Sequence, residues 1–537
     1  MERIHREGTG ELVFKVVSWL FHAPEVLYMD ELREAMIIKG GDSDLAFEYL
    51  DPPEFIVEEC KSLVVYDEQT GVVRFAHSSV HDFMRENMQH RLVKVDELAK
   101  VLLTYLSFNI FKFPCNQPFE LKDKMQSHKL ARYAARWWPE YVRGPGESNP
   151  ELRRLIINIF RSPNHVLSIL QLEAADIQLP RSLTLLHFAA FHQMTVFCDM
   201  LCPQDNRAEK LGIMISDPPE VLGTVYSRDA FDETPLQIAA RKGYVDIARI
   251  LIHGGADVDA MSGKSAGLTP LHLAVIRGHN GIVDLLLLHG AKRECKGGYR
   301  QETPLLLAAY LGRIDIVRSL LEAGSNVHAS IEVVRETGLM RALHSPNAPA
   351  ILKLLLGASA AVNARDAQGQ TALHYAVQLP TFSLCREVLD ILLQADADVN
   401  IPCNRTGDTV LHVCAKLDLR ARRYELDIQN KEEELSSQSL NEIYARQRAI
   451  SCTRPPKSDE LDGEVELAEL VELLLRSKAD PWAQNFVGDT PLQCSIKMRH
   501  PLVSAILLFA MDLKVHFMMD SIGDQEFLDN IIQQIRT

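Results

Sequence analysis

The sequence has no CxxC pair among its ten cysteines, no apolar run near the ~18 residues that span a bilayer, and no excess of positive charge. Each shortage excludes something. Cys60, Cys115, Cys198, Cys202, Cys295, Cys385, Cys403, Cys414, Cys452 and Cys494 are scattered, which fits free thiols in a reducing compartment. Cys198 and Cys202 stand at helical i,i+4 spacing without a second ligand pair, so no metal is expected there. The richest apolar stretch, 502–511, is only a helix face long. Glu7, Glu11 and Lys15 interrupt the first residues, which therefore lack the core of a secretory signal. The expected location is cytoplasmic. With 57 Lys and Arg against 72 Asp and Glu, the net charge of −15 opposes chain-wide attraction to nucleic acid or anionic membrane.

What is present is a period. A Thr-Pro-Leu-His-like phrase begins at Thr184, Thr234, Thr269, Thr303, Thr371, Thr409 and Thr490. The steps 234 to 269 and 269 to 303 are 35 and 34 residues, and 303 to 371 is 68, or two periods. Arg341-Ala342-Leu343-His344 is read as a degenerate copy filling that double step. The clearest copy, 269–291, predicts two short helices. Pro270 sits in the first turn, where its missing N–H costs nothing. Gly278 ends the first helix in the position that favours a left-handed residue. Ile282, Val283, Leu286 and Leu287 share one face of the second. One such pair cannot bury its apolar face, so copies must stack.

The phrase, the following Ala-Ala pair and endings such as 255–260 and 396–400 resemble the ankyrin repeat. The resemblance implies a mainly α solenoid of about eight repeats over residues 181–515. The longer steps put inserts near 210–227 and 416–463. Residues 422–449 of the second insert have a helical pattern, and 516–537 are expected to form a capping helix.

Residues 1–90 have a different texture. Val13, Val16, Val17 and Leu20 lie at helical spacing, a helix follows from about Met29 and another from about Glu54, and 63–66 and 72–75 flank a turn-rich loop. Three helices and a hairpin are the order of an α+β winged helix. Residues 91–180 read as a helical linker. The stretches 18–36, 56–84 and 133–144 resemble the winged-helix segment of fungal NACHT–ankyrin proteins. That resemblance implies membership of an NLR-like signalling system and a preceding nucleotide-binding domain, which is not among these residues. A nucleic-acid-associated regulator is the alternative function. It is opposed by 11 Lys and Arg against 20 Asp and Glu over residues 1–100, a net of −9, and by Glu54, Glu58 and Glu59 on the third helix.

No catalytic constellation emerges. Gly263-Lys264-Ser265 resembles the end of a P-loop, but Val258 occupies the place of its first glycine. Gly263, Ser265 and Gly267 match G-x-S-x-G without the α/β sheet a nucleophile elbow needs. His77, Ser78, His81 and Asp82 are neighbours whose side chains diverge on a helix, with Ser78 or Ser79 expected to cap it. The phrase histidines His187, His272, His374 and His412 are expected to be structural. No cofactor is expected. The expected function is a non-enzymatic scaffold or adaptor that binds a protein partner with an acidic segment on the concave repeat face. The variable pair after Ala-Ala and the repeat tips supply the candidates: Arg241, Lys242, Ile276, Arg277, Tyr299, Arg300, Tyr310, Arg365 and Arg405.

Overall fold

Helices dominate the computed structural model, which describes residues 10–174, 184–202, 223–229, 231–263, 267–418 and 460–517. The chain divides into two units, Met1–Lys292 and Arg293–Thr537, and each is taken separately.

The first unit opens with α1 (Gly10–His22), β1 (Leu27–Tyr28), α2 (Met29–Ile37), α3 (Pro53–Glu59), β2 (Val64–Asp67) and β3 (Val72–Phe75). α1 buries Val13, Val16, Val17 and Trp19, while Leu20 stays half-buried. The two-residue strand β1 was not foreseen. It pairs antiparallel with β3, which also pairs with β2, so the strand order is β1-β3-β2. Leu27, Val64 and Val73 point into the core from one face of the sheet. α4 (Ser78–Phe83) follows, and its cap corrects the sequence reading. The His77 ring accepts from the Ser79 backbone N–H at 3.1 Å, and neither serine serves as the cap.

α5 (Val95–Leu106), α6 (Pro118–Ser127), α7 (Leu130–Val142), α8 (Pro150–Phe160) and α9 (Pro163–Ala174) come next. The buried Glu34 carboxylate fixes α7 to α2. It accepts from the N–H groups of Lys129 and Leu130 at 2.8 and 2.9 Å and from the Tyr105 hydroxyl at 2.7 Å. An anion there also favours the positive end of α7. Of the adjacent Trp137 and Trp138, the second is buried and stacks on Phe188 with ring planes 2° apart and centroids 5.1 Å apart. That contact seats α7 on the first helix of the repeats.

The repeats in this unit are the pairs α10 (Leu185–Phe191) and α11 (Thr195–Leu201), α12 (Pro235–Lys242) and α13 (Val245–His253), and α14 (Pro270–Arg277) and α15 (Asn280–Leu288). Gly243 and Gly278 take the left-handed conformation at the ends of α12 and α14, with φ of +86° and +75°. A Cβ on Gly243 would also meet the His279 ring at 2.7 Å, so two constraints select glycine there.

The second unit continues with α16 (Pro304–Tyr310) and α17 (Ile314–Glu322), α18 (Gly338–Ala342) and α19 (Ala348–Gly357), α20 (Ala372–Ala376) and α21 (Phe382–Gln394), α22 (Val410–Ala415) and α23 (Glu460–Arg476), and α24 (Pro491–Met498) and α25 (Pro501–Phe517). Two sequence readings change. The degenerate copy begins at Thr337, not Arg341: Thr337 has the extended N-cap backbone and α18 starts at Gly338. Thr337 stands 34 residues from both Thr303 and Thr371, so the period is unbroken. The insert expected at 416–463 runs into helix, because Glu460–Gly463 open α23. It separates the two helices of one pair. The helix expected at 422–449, the expected 518–537 portion of the capping helix, and 210–222 of the first insert lie outside the described residues.

Candidate protein-binding surface

Where the repeat phrase is complete, it builds the first helix in one way. The threonine hydroxyl accepts from the backbone N–H three residues on, and the fourth side chain of the phrase returns a bond to the threonine N–H, a reciprocal cap. At three of the phrase histidines that side chain also bonds the next copy. His187 Nε2 donates to the Glu233 carbonyl at 3.1 Å, His374 to Asp408 at 3.3 Å and His412 to Asp489 at 3.0 Å. At His374 and His412, Nδ1 accepts from the threonine backbone N–H at 3.1 and 3.2 Å, so the single proton sits on Nε2 and the ring is neutral. Burial lowers the pKa of all three. These rings tie consecutive copies together. Among the described residues no group of three His, Cys, Asp or Glu is arranged to hold a metal.

The sign of the resulting pH dependence follows. A histidine whose folded pKa lies below ~6.5 takes up protons only on unfolding, so acid favours the unfolded chain. Stability is therefore expected to fall as pH drops from about 6.5, with His344, held down to about 4 by burial and by Arg341 and Arg300, extending the loss lower. Gln237 occupies the histidine position in another copy, accepting from Thr234 N at 2.8 Å and donating to the Ala260 and Leu268 carbonyls. His374→Gln is thus expected to cost under about 1 kcal/mol and to flatten part of the acid loss. His374→Leu leaves the Thr371 N–H unpaired and the Asp408 carbonyl with only its bond from the Cys403 N–H, and should cost about 1–3 kcal/mol. Melting curves from pH 7.5 to 4.5 check both.

Seven and eight residues after each cap threonine lies the variable pair. In the first unit this gives two rows across α10, α12 and α14: Phe191, Arg241 and Ile276, then His192, Lys242 and Arg277. Arg241 is occupied, holding Glu233 at 2.9 Å. The Lys242 ammonium lies 3.9 Å from the centre of the Phe191 ring. Its pKa is lowered by partial burial and by the nearby Arg241 and Arg277. Ile276 is half-buried and Arg277 exposed.

In the second unit Tyr310 is buried, which corrects its reading as a surface residue. The guanidinium of Arg341 lies 3.9 Å from its ring centre. Arg341 is itself only 1% exposed, paired with Glu302 and, at 3.2 Å, with Glu336. Arg300 lies 3.9 Å from Glu336. Arg365 is exposed, but its guanidinium is engaged by the neighbouring tip, donating to the Pro402 carbonyl at 2.6 Å and the Asn404 side chain at 2.8 Å. Tyr299 stands 78% exposed on the tip closed by the Gly297–Glu302 bridge, and Arg405 is exposed on another.

The pairing that sequence reasoning missed has a signature. An acid just before the cap threonine meets a base seven after it: Glu233 with Arg241, Asp408 with Lys416 at 2.6 Å and Asp489 with Lys497 at 2.5 Å. Where the base is missing, after Glu302, the next copy's Arg341 supplies it.

Helix pairs capped in this way are ankyrin repeats, and the ankyrin-repeat family model matches residues 156–262, 259–331 and 336–424. The chain carries ankyrin repeats. NF-kappa-B inhibitor zeta of Homo sapiens is 28% identical over 193 residues, covering 35% of this chain and 26% of that protein. Ankyrin repeat and SOCS box protein 16 of Homo sapiens is 37% identical over 145 residues, 26% of this chain and 30% of that one. E3 ubiquitin-protein ligase KEG of Arabidopsis thaliana is 26% identical over 291 residues, 54% of this chain and 17% of the ligase. The chain thus spans about a quarter of the NF-kappa-B inhibitor zeta sequence it matches. The solved ankyrin repeat domain of Bcl-3 is 23% identical, with a TM-score of 0.36, and covers 50% of this chain and 98% of that domain.

Proposed function

We propose that this protein is a non-enzymatic interaction scaffold or adaptor whose ankyrin repeats, eight by count of the helix pairs, hold a protein partner on the face formed by the first helices and the tips. One observation carries the reading. Lys242 and Arg277 stand on repeated helix-end positions of the first unit, and Tyr299 and Arg405 on repeated tip positions of the second, and none of the three cations has an ion-pair partner among the described residues. Arg and Tyr are favoured where interfaces concentrate their energy. Among the described residues no helix is long and apolar enough to cross a membrane.

The order of α1–β1–α2–α3–β2–β3 supports reading the first residues as a winged helix like that of NACHT–ankyrin proteins, and hence a place in an NLR-like signalling system. The same order is the sole support for a nucleic-acid regulator. Against it, α3 turns Glu54 and Glu58 to water, where a phosphate backbone would be repelled.

The test is affinity capture from a nuclease-treated native lysate, comparing wild type with a variant carrying Lys242→Ala, Arg277→Ala, Tyr299→Ala and Arg405→Ala. A protein retained by wild type and lost by the folded variant supports the reading. Equal retention by both, or retention that nuclease abolishes, overturns it.

A further inference from the structure

The chain carries net negative charge, yet the first unit sets two cations side by side with no carboxylate to pair them. Lys242 and Arg277 occupy the same position of consecutive copies, at the C-terminal ends of the neighbouring helices α12 and α14. Among the described residues no carboxylate lies within ion-pair distance of either, whereas the Arg241 beside Lys242 is neutralised by Glu233. The third residue of the row, His192, stays uncharged near neutrality because burial, Arg143 and Lys242 hold its pKa down to about 3. Glu173 acts on Lys242 through space, but burial raises its carboxyl to about 7 against the pull of Arg136 and Lys242, and Glu233, which feels Arg277, is bonded to Arg241, so the two acids offset only part of the charge. Beside the cations lie the apolar surfaces of Phe191 and Ile276.

We propose that Lys242 and Arg277, flanked by Phe191 and Ile276, bind an extended acidic segment of the partner protein that carries a carboxylate at every third residue. This rests on the repeats being a protein-binding module and says which part of a partner they take and where. The spacing comes from packing geometry. Helices in contact lie about 8–10 Å apart. A polyproline II strand rises about 3.1 Å per residue with three residues per turn, so side chains three apart point the same way about 9 Å apart. Carboxylates at i and i+3 then reach Lys242 and Arg277 together, and the residues between them lie over Ile276 and Phe191. A β-extended strand has period two and turns i and i+3 to opposite faces.

The probe is a fluorescein-labelled peptide of four Glu-Pro-Pro units, measured by anisotropy against the full chain at low salt. The controls are four Gln-Pro-Pro units, a peptide of the same composition with its glutamates in one block, and a twelve-residue oligothymidine. The Glu-Pro-Pro peptide is expected to bind most tightly and to weaken with added salt. Lys242→Gln with Arg277→Gln should weaken it roughly tenfold, while Lys353→Gln, an exposed position on the second helix α19, leaves it unchanged. Equal binding of the Gln-Pro-Pro peptide, no loss in the double variant, or tighter binding of the oligothymidine would each overturn the proposal, and equal binding of the block peptide would overturn its spacing. Should the capture variant lose its partner while the Glu-Pro-Pro peptide fails to bind, the scaffold reading stands and this groove is not its acidic-segment site.

Discussion

Arg341→Ala is expected to destabilise the second unit by about 3–5 kcal/mol, the cost of leaving buried carboxylates without their cation. Arg341 is fully enclosed, Glu302 nearly so, and Glu336 only slightly open, and all three sit at the bases of α16 and α18 with Tyr310 packed on the guanidinium. Repeat arrays need not unfold all at once, so a single melting midpoint would blur the effect. Amide exchange resolves it: protection should drop first in α16 and α18. Glu302→Gln and Glu336→Gln added to Arg341→Leu remove the charges together and should restore most of the loss, because a buried ionic cluster costs nearly as much to desolvate as it returns. A loss under about 1 kcal/mol for Arg341→Ala would mean that solvent reaches the cluster and the burial is wrong.

The second large effect lies at the junction of α7 with the repeats. Trp138→Ala should cost about 3–5 kcal/mol and expose the α7–α10 contact to proteolysis, since the indole fills the space against Phe188, itself 5.2 Å from Phe160. Trp138→Phe should cost less than about 1.5 kcal/mol. The indole N–H has no hydrogen-bond partner, so its removal offsets part of the lost volume. If Trp138→Ala left proteolysis unchanged, the helical segment would be held to the repeats by something other than this stack.

The period was legible because the Thr-Pro-Leu-His phrase is both a cap and a packing unit, and both jobs restrict residue choice. The copy at 337 escaped because its letters, Thr-Gly-Leu-Met, keep the threonine and the core leucine but lose the proline and histidine. Ala342-Leu343-His344 mimicked the phrase four residues late, and only the unbroken 34-residue step could have exposed the substitution. Taking Tyr310 for a surface residue failed for a different reason. Position within a repeat predicts direction, not what a neighbouring copy lays on top, and Arg341 covers Tyr310 from the next copy. Arg241 was taken for a free cation because its partner, Glu233, is eight residues back across the helix start. The acid-before-threonine rule would have found it. Strand β1 is too short for any alternation of apolar residues to show.

Hydrogen exchange on the captured complex tests the central claim most directly. Protection on partner binding is expected at 241–243 and 276–279 and at the tips carrying Tyr299 and Arg405, with the second helices of the pairs unchanged. Protection confined to α2 and α3, or to the second helices, would contradict a partner held on the first helices and tips of the repeats.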